Sequence, residues 1–171
     1  MIKLKSIDYE IISELIKNSR LSDRQVAKRL DTSQPTVTRR RTQLEKEGLL
    51  DYTGVPDLKK LGFEILAFTF GKWSTQKTPD AHDDEVKEFV RKHPCTIFMS
   101  TGSGLGWDRV CISVHKDYSD YSRVIREMKE SLRPYCESFS SFIVSLQSDD
   151  IIRNLTFKYL TKLLQENISE K

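Results

Sequence analysis

The sequence predicts an α+β protein in which a helical N-terminal module precedes a module of mixed strands and helices. Apolar residues recur at helical spacing through the first third of the chain. From residue 63 onward, short apolar runs and helical patterns follow the order strand, helix, strand, strand, helix, strand. Charge is uneven as well, because residues 1–60 carry 13 Lys and Arg against 9 Asp and Glu, whereas the remainder carries 15 against 16.

The first module reads as three helices with recognisable ends. Ser6 is expected to cap the first helix, and Ser22 with Gln25 fits the capping box of the second. Ser33 is expected to cap the third helix, which Gly48 closes. Two short helices joined by a turn of three or four residues are typical of a helix-turn-helix, so the module is predicted to bind DNA.

The outward face of the third helix carries residue types that suit a DNA groove. With Val37 directed to the core and about 100° per residue, Arg39 points outward and Arg41 inward, its stem packing while its head reaches solvent. Arginine can bridge guanine O6 and N7, and threonine methyls can touch thymine. The candidate DNA-binding residues are Ser33, Gln34, Pro35, Thr36, Thr38, Arg39, Arg40, Thr42 and Gln43. The alternative is an ordinary solvated helix face, which the absence of acids from 33 to 44 disfavours.

Domain boundaries follow from these patterns. Residues 1–54 are expected to form a winged helix-turn-helix, with residues 49–53 as a short wing strand, and residues 55–62 a linker. Residues 63–147 are expected to form the mixed module, and residues 148–171 a C-terminal helix that opens at Asp149.

The phased set of residues resembles the Lrp/AsnC family of bacterial and archaeal transcription regulators, of the archaeal type. The matching residues are Ile7-Asp8, Ile11-Ile12, Asn18 to Ser22, Val26-Ala27, Ser33, Thr36-Val37, Arg40, Leu44-Glu45, Gly48 to Leu50, Asp57 and Leu61-Gly62. This resemblance implies a βαββαβ ferredoxin-like sandwich, regulation of transcription from double-stranded DNA, and a homodimer that can assemble further. The first strand of the second module agrees with a dimer, since it is apolar on both faces and a two-layer sandwich covers only one.

Three glycines within five residues mark the connection between the second and third strands. In relatives, a shorter glycine and aspartate turn here lines an amino-acid effector pocket. The resemblance therefore implies effector-binding residues Gly102, Gly104, Gly106 and Asp108, because glycine lets backbone N–H groups approach a carboxylate and an aspartate can pair with an ammonium. The alternative is a flexible hairpin tip without a ligand.

Other classes of protein fit the sequence less well. No apolar run approaches the roughly 18 residues of a membrane helix, and no signal peptide precedes the amphipathic start, so a cytoplasmic protein is expected. The three cysteines match neither a disulfide framework nor a zinc site, and His82 beside two aspartates lacks a wider cluster, so no metal or cofactor is expected.

Two alternative functions stay open at this stage. A siroheme-type decarboxylase of the haem pathway resembles this family in both modules, but only His93 and His115 could serve its site, so an enzyme is not expected. An architectural DNA-binding protein with little sequence preference is the other alternative.

Overall fold

A computed structural model of the chain describes residues 3–73 and 83–169. One compact unit comprises the chain up to Val55 together with residues from Arg153 onward, and the other comprises Pro56–Ile152. The described elements are α1 (Ser6–Lys17), α2 (Asp23–Arg29), α3 (Gln34–Lys46), β1 (Ile65–Trp73), α4 (Asp83–Lys92), β2 (Thr96–Gly104), β3 (Trp107–His115), α5 (Tyr118–Leu132), β4 (Cys136–Ser145) and α6 (Leu160–Ser169). None of the helices in the described ranges is long and apolar enough to cross a membrane.

Side-chain caps fix the starts of the first three helices. The backbone N–H of Ser22 donates to Gln25 Oε1 at 2.9 Å, and the backbone N–H of Gln25 donates to Ser22 Oγ at 3.3 Å. These two hydrogen bonds confirm the predicted capping box. Ser33 caps α3 as predicted. The cap predicted at Ser6 is wrong. The backbone N–H of Lys5 donates to Asp8 Oδ2 at 2.7 Å, so Lys5 occupies the N-cap position and the helix begins one residue earlier, at Ser6.

The end of α3 has the geometry of a Schellman motif. Gly48 has a φ of +68°, and the N–H groups of Gly48 and Leu49 donate to the carbonyls of Glu45 and Leu44. This confirms the predicted stop at Gly48. The strand predicted over residues 49–53 does not form, since the segment has no regular secondary structure and pairs with no strand in the described ranges.

The first unit has a core of aliphatic side chains from α1, α2 and α3. Its members are Ile11, Leu15, Leu21, Val26, Ala27, Val37 and Leu44. The C-terminal helix α6 packs against α1 in the same unit.

The start predicted for the C-terminal helix at Asp149 is wrong. A single 3₁₀ turn, Phe157–Tyr159, precedes α6, and the hydroxyl of Thr156 accepts the N–H of Lys158 at 3.3 Å to begin that turn. Ile152 and Leu155 are exposed, so the segment before Thr156 has no surface against which an apolar helical stripe could pack.

The second unit is a four-stranded antiparallel sheet in the order β2-β3-β1-β4. Helices α4 and α5 cover one face, where Phe89, Val124 and Met128 pack against Ala67 and Cys111 of the sheet. The predicted βαββαβ order is therefore confirmed. Within residues 55–62, which we expected to link the modules, residues 58–62 form a turn, and Glu64 donates its N–H to the His115 carbonyl at 3.0 Å.

The opposite face of the sheet carries an apolar row. Phe98, Ile112, Phe68 and Phe142 are register partners across all four strands. Side chains of partnered residues point to the same face of a sheet, so these four lie side by side. Phe98 is 51% exposed and Phe142 is 66% exposed, which leaves both ends of this row open.

The glycine-rich connection is a tight hairpin. β2 and β3 extend to Gly104 and Trp107, so only two residues remain in the turn. Leu105 and Gly106 both have positive φ, 53° and 78°, as a type I′ turn requires. The connection is therefore a two-residue turn of defined backbone conformation.

Candidate nucleic-acid interface

Helix α3 presents a narrow, exposed face formed by four residues. Gln34, Pro35, Arg39 and Thr42 are exposed. Pro35 lies four residues before Arg39 and Thr42 three residues after it, so these three share one side of the helix, and Gln34 is at its N-terminal end. No hydrogen bond or ion pair involves the Arg39 guanidinium within the described ranges. Its five N–H donors are therefore available to an incoming acceptor. We call these four residues the α3 face.

Four other predicted contact residues already have partners inside the unit. The hydroxyls of Ser33 and Thr36 lie 2.8 Å apart, and the Thr38 hydroxyl donates to Asp23 Oδ2 at 2.7 Å. Gln43 is half-buried, and its Oε1 accepts from Arg40 at 3.1 Å. These side chains stabilise the helix-turn-helix, and their role toward DNA stays a prediction.

The prediction that Arg40 contacts DNA is wrong, because this side chain is buried between α3 and α1. Its Nε donates to Asp8 Oδ1 at 2.6 Å and its second terminal nitrogen to Asp8 Oδ2, a bidentate pair. Arg40 lies three residues after Val37 and four before Leu44, which places it on the buried side of α3. Asp8 was missed by sequence reasoning, although its spacing of three residues from Ile11 puts it on the buried stripe of α1.

The electrostatics of this pair favour the charged state of both groups. Burial alone would raise the pKa of Asp8, but hydrogen bonds from Arg40 and from the Lys5 backbone outweigh burial and hold that pKa below its ordinary value. The hydrogen bond with Asp8 raises the pKa of Arg40. Helix α3 is therefore locked to α1 by a charged, buried contact.

Arg41 ties α3 to its surroundings in a second direction. Its guanidinium donates to the Leu21 carbonyl at 3.1 Å, to Asp23 at 3.0 Å and to Glu45 at 3.0 Å. It also lies 5.0 Å from the ring centre of Tyr52 and donates to the phenol oxygen. The residue is half-buried, as expected for a packed stem with a polar head.

Tyr52 anchors the segment in which a wing strand was expected. Its hydroxyl donates to Glu45 Oε1 at 2.7 Å. Burial, and next the hydrogen bond to Glu45, raise the pKa of Tyr52 to about 12, although Arg41 acts in the opposite direction. The contacts of one side chain, Tyr52, therefore hold residues 49–53 in place of the backbone hydrogen bonds that a strand would make.

The predicted effector residues lie at the hairpin tip of the second unit. Gly102 and Gly104 belong to the end of β2, Gly106 to the turn and Asp108 to β3. Both carboxylate oxygens of Asp108 lie 3.1 Å from the Trp73 backbone nitrogen, which donates to them. Asp108 therefore has a structural partner, and its role toward a ligand stays a prediction. His82 lies outside the described residues.

Comparison with known proteins places this architecture among DNA-binding proteins. A family model described as winged helix-turn-helix DNA-binding matches residues 4–51. The transcriptional regulator PH1055 of Pyrococcus horikoshii is 30% identical over 132 residues, which cover 74% of this chain and 77% of the relative. The regulator LrpC of Bacillus subtilis is 47% identical over 64 residues, or 37% of this chain and 44% of LrpC.

A solved structure supports the same fold over nearly the whole chain. The transcriptional regulator NMB0573 of Neisseria meningitidis, crystallised with L-Met, superposes with a TM-score of 0.75 at 21% identity and covers 90% of this chain and 96% of its own. The fold and the exposed α3 face define a DNA-binding protein of the winged helix-turn-helix class. The chain belongs to the Lrp/AsnC family of HTH-type transcriptional regulators.

The Asp8–Arg40 pair gives a direct prediction about stability. We expect Asp8→Asn to lower the free energy of unfolding by about 3–5 kcal/mol, because it leaves a buried guanidinium without a counter-charge. Urea unfolding followed by circular dichroism measures this loss. Glu47→Gln, at the exposed end of α3, is the matched control and should change stability by less than about 0.5 kcal/mol.

The same variant has a defined pH dependence. The pKa of Asp8 is lower in the folded protein than in the unfolded chain. The ionised carboxylate therefore stabilises the fold at pH values above the ordinary pKa of aspartate, and this stabilisation is lost as the pH falls through the pKa of the folded protein. The stability difference between wild type and Asp8→Asn should therefore shrink as the pH is lowered below about 4. A difference under 1 kcal/mol at neutral pH, or one that does not change with acid, contradicts a charged buried pair.

Proposed function

We propose that this regulator reads DNA in a sequence-selective way through the α3 face, with Arg39 as the principal base contact. The observation that supports this is the exposed guanidinium of Arg39 at the centre of an acid-free face, flanked by Pro35 and Thr42. Arginine is the commonest side chain in bidentate contacts to guanine in the major groove, and the Thr42 methyl can contact thymine. Gln34, at the start of the helix, can reach an adjacent base or phosphate.

Regulation without catalysis fits the described histidines. His93 stacks on Phe89 with ring centres 4.0 Å apart and contacts Glu127 at 2.7 Å, and His115 is fully buried beside Ser113. A tetrapyrrole decarboxylase would need such groups to converge on an open cavity, whereas the His115 side chain has no exposed surface and that of His93 is 12% exposed. We therefore propose a regulator that is not an enzyme.

Replacement of Arg39 tests the proposed reading. We expect Arg39→Ala to weaken binding to the preferred site by about 1–3 kcal/mol and to relax selection at one base pair. Fluorescence anisotropy with excess competitor DNA measures both quantities. Arg126→Ala, an exposed change on α5, is the control and should bind like wild type. An unchanged affinity of Arg39→Ala removes this residue from base reading, and binding abolished by competitor DNA in the wild type indicates an architectural protein.

We propose that the chain is a homodimer joined through the open face of the sheet. Two copies related by a two-fold axis would bury the row Phe98, Ile112, Phe68 and Phe142 against its equivalent, which removes exposed aromatic surface from water. Two α3 faces would then meet two half-sites of a near-palindromic operator.

The dimer is tested by sedimentation equilibrium at micromolar concentration. The wild type should have twice the chain mass of 19.9 kDa. Phe142→Glu should be a folded monomer, because it places two carboxylates in an apolar contact. Tyr118→Glu, at an equally exposed aromatic position of α5, should stay a dimer. A wild-type monomer would overturn the proposal.

We further propose control by an amino acid that binds near the hairpin tip. The regulator NMB0573, which shares this fold, was crystallised with L-Met. Here Asp108 accepts one backbone N–H, and a carboxylate has about four acceptor positions, so capacity remains for a ligand ammonium.

L-Met and the other amino acids test this proposal in calorimetric titrations of the free protein. We expect one of the amino acids to bind. Asp108→Asn should lower the affinity for it about tenfold, because the amide oxygen still accepts the hydrogen bond from the Trp73 backbone but the negative charge is lost. Asp149→Asn, at a fully exposed position, is the control. If no amino acid binds, or if Asp108→Asn binds as well as wild type, the hairpin is not the effector site.

A further inference from the structure

The second unit contains a cleft that the proposed functions leave unused. It lies between α4 and the edge strand β2, with Trp73 of β1 and Arg109 of β3 at its inner end, and its volume is about 520 Å³. Ligand cavities for small molecules in proteins fall between roughly 300 and 1,000 Å³. The space therefore suits a small organic molecule.

The walls of the cleft combine apolar surface with positive charge. Trp73, Val86, Val90 and Met99 form the apolar part. Among the lining side chains that the structure describes, the charged ones are all cationic, namely Lys87, Arg91 and Arg109. Three cations favour an anionic ligand over a neutral or cationic one.

Arg109 is the best-placed anchor for an anion. Its guanidinium lies over the Trp73 ring at 4.9 Å, and one of its nitrogens donates to the Asp108 carbonyl at 3.0 Å. These contacts fix its orientation while other N–H donors stay available, and its side chain is only 24% exposed. An ion pair made there is screened less by solvent than one on the surface.

The other charges near the cleft contribute less. Lys87 is 71% exposed and lies 3.6 Å from Asp84, and Arg91 is exposed on the same helix near Glu88. Asp108 lies 3.6 Å from the Arg109 guanidinium but does not line the cleft. Exposed ion pairs of this kind contribute little binding energy, so selection for an anionic ligand depends mainly on Arg109.

We propose that this cleft binds a small organic carboxylate that has an apolar body and no ammonium group. The carboxylate pairs with Arg109, and the hydroxyls of Thr96 and Thr101 line the same cleft and offer further hydrogen bonds. The apolar body lies against Trp73 and the aliphatic side chains of α4. An amino acid is disfavoured, because its ammonium would lie beside three lining cations.

Three probes that differ in one group test the proposal. Phenylpropanoate carries the carboxylate, phenylpropanamide replaces it with a neutral amide, and phenylalanine adds an ammonium. The chain has two tryptophans, so Trp107→Phe leaves Trp73 as the sole indole. Quenching of its fluorescence then reports occupancy of the cleft in the full-length protein without DNA.

The expected result is saturable quenching by phenylpropanoate, with binding at least about tenfold weaker for the amide and for phenylalanine. Arg109→Gln should weaken phenylpropanoate binding by about tenfold or more, because the charged hydrogen bond is lost. Arg91→Glu reverses an exposed rim charge without touching the core and should also weaken it. Arg126→Gln on α5, outside the cleft, should bind like the parent.

Several outcomes would overturn the proposal. The proposal is wrong if millimolar phenylpropanoate gives no saturable quenching or if the three probes bind equally. It is also wrong if Arg91→Glu and a folded Arg109→Gln both bind phenylpropanoate like the parent. If Arg109→Gln fails to fold, the probe series and Arg91→Glu decide between the outcomes. The measurement uses no DNA and no Arg39 variant, so its failure leaves the reading proposed for α3 unaffected.

Discussion

The buried pair between Asp8 and Arg40 is the contact on which the DNA-binding unit depends. It joins α1 to α3 across 32 residues of chain and places a full positive charge inside an aliphatic core. Val37, Arg40 and Leu44 together define the buried side of α3, and at about 100° per residue this rotation turns Arg39 away from the core. The orientation of Arg39 therefore depends on buried neighbours, of which Arg40 is held by Asp8.

Local signals made α2 and α3 and their ends predictable. Caps at Ser22, Ser33 and Gly48 act within four residues, and the apolar stripes have a period that can be read directly. Long-range pairing was not predictable in this way. Three consecutive arginines give no indication of which one meets a buried acid on another helix. The wing strand failed for the same reason, since a strand requires a partner that residues 49–53 do not specify.

The second unit shows a similar division between local and distant information. Alternating apolar residues predicted its strands and their order, and the structure confirms them. The glycines marked a connection between two strands, but not its conformation: positive φ at Leu105 and Gly106 gives a tight turn in which both strands continue to the turn. The cleft beside α4 escaped prediction entirely, because its lining comes from four separate elements. Asp108 and Arg109 are adjacent in sequence yet contribute to different proposed sites.

The central claim is that Arg40 is structural and Arg39 reads DNA, and arginine side-chain NMR tests it most directly. In the free protein, the Nε–H of Arg40 should exchange slowly with water and that of Arg39 quickly. On addition of operator DNA, the Arg39 Nε signal should shift while the Arg40 signal stays in place. Fast exchange of Arg40 in the free protein, or a DNA-induced shift at Arg40 with none at Arg39, would contradict the claim.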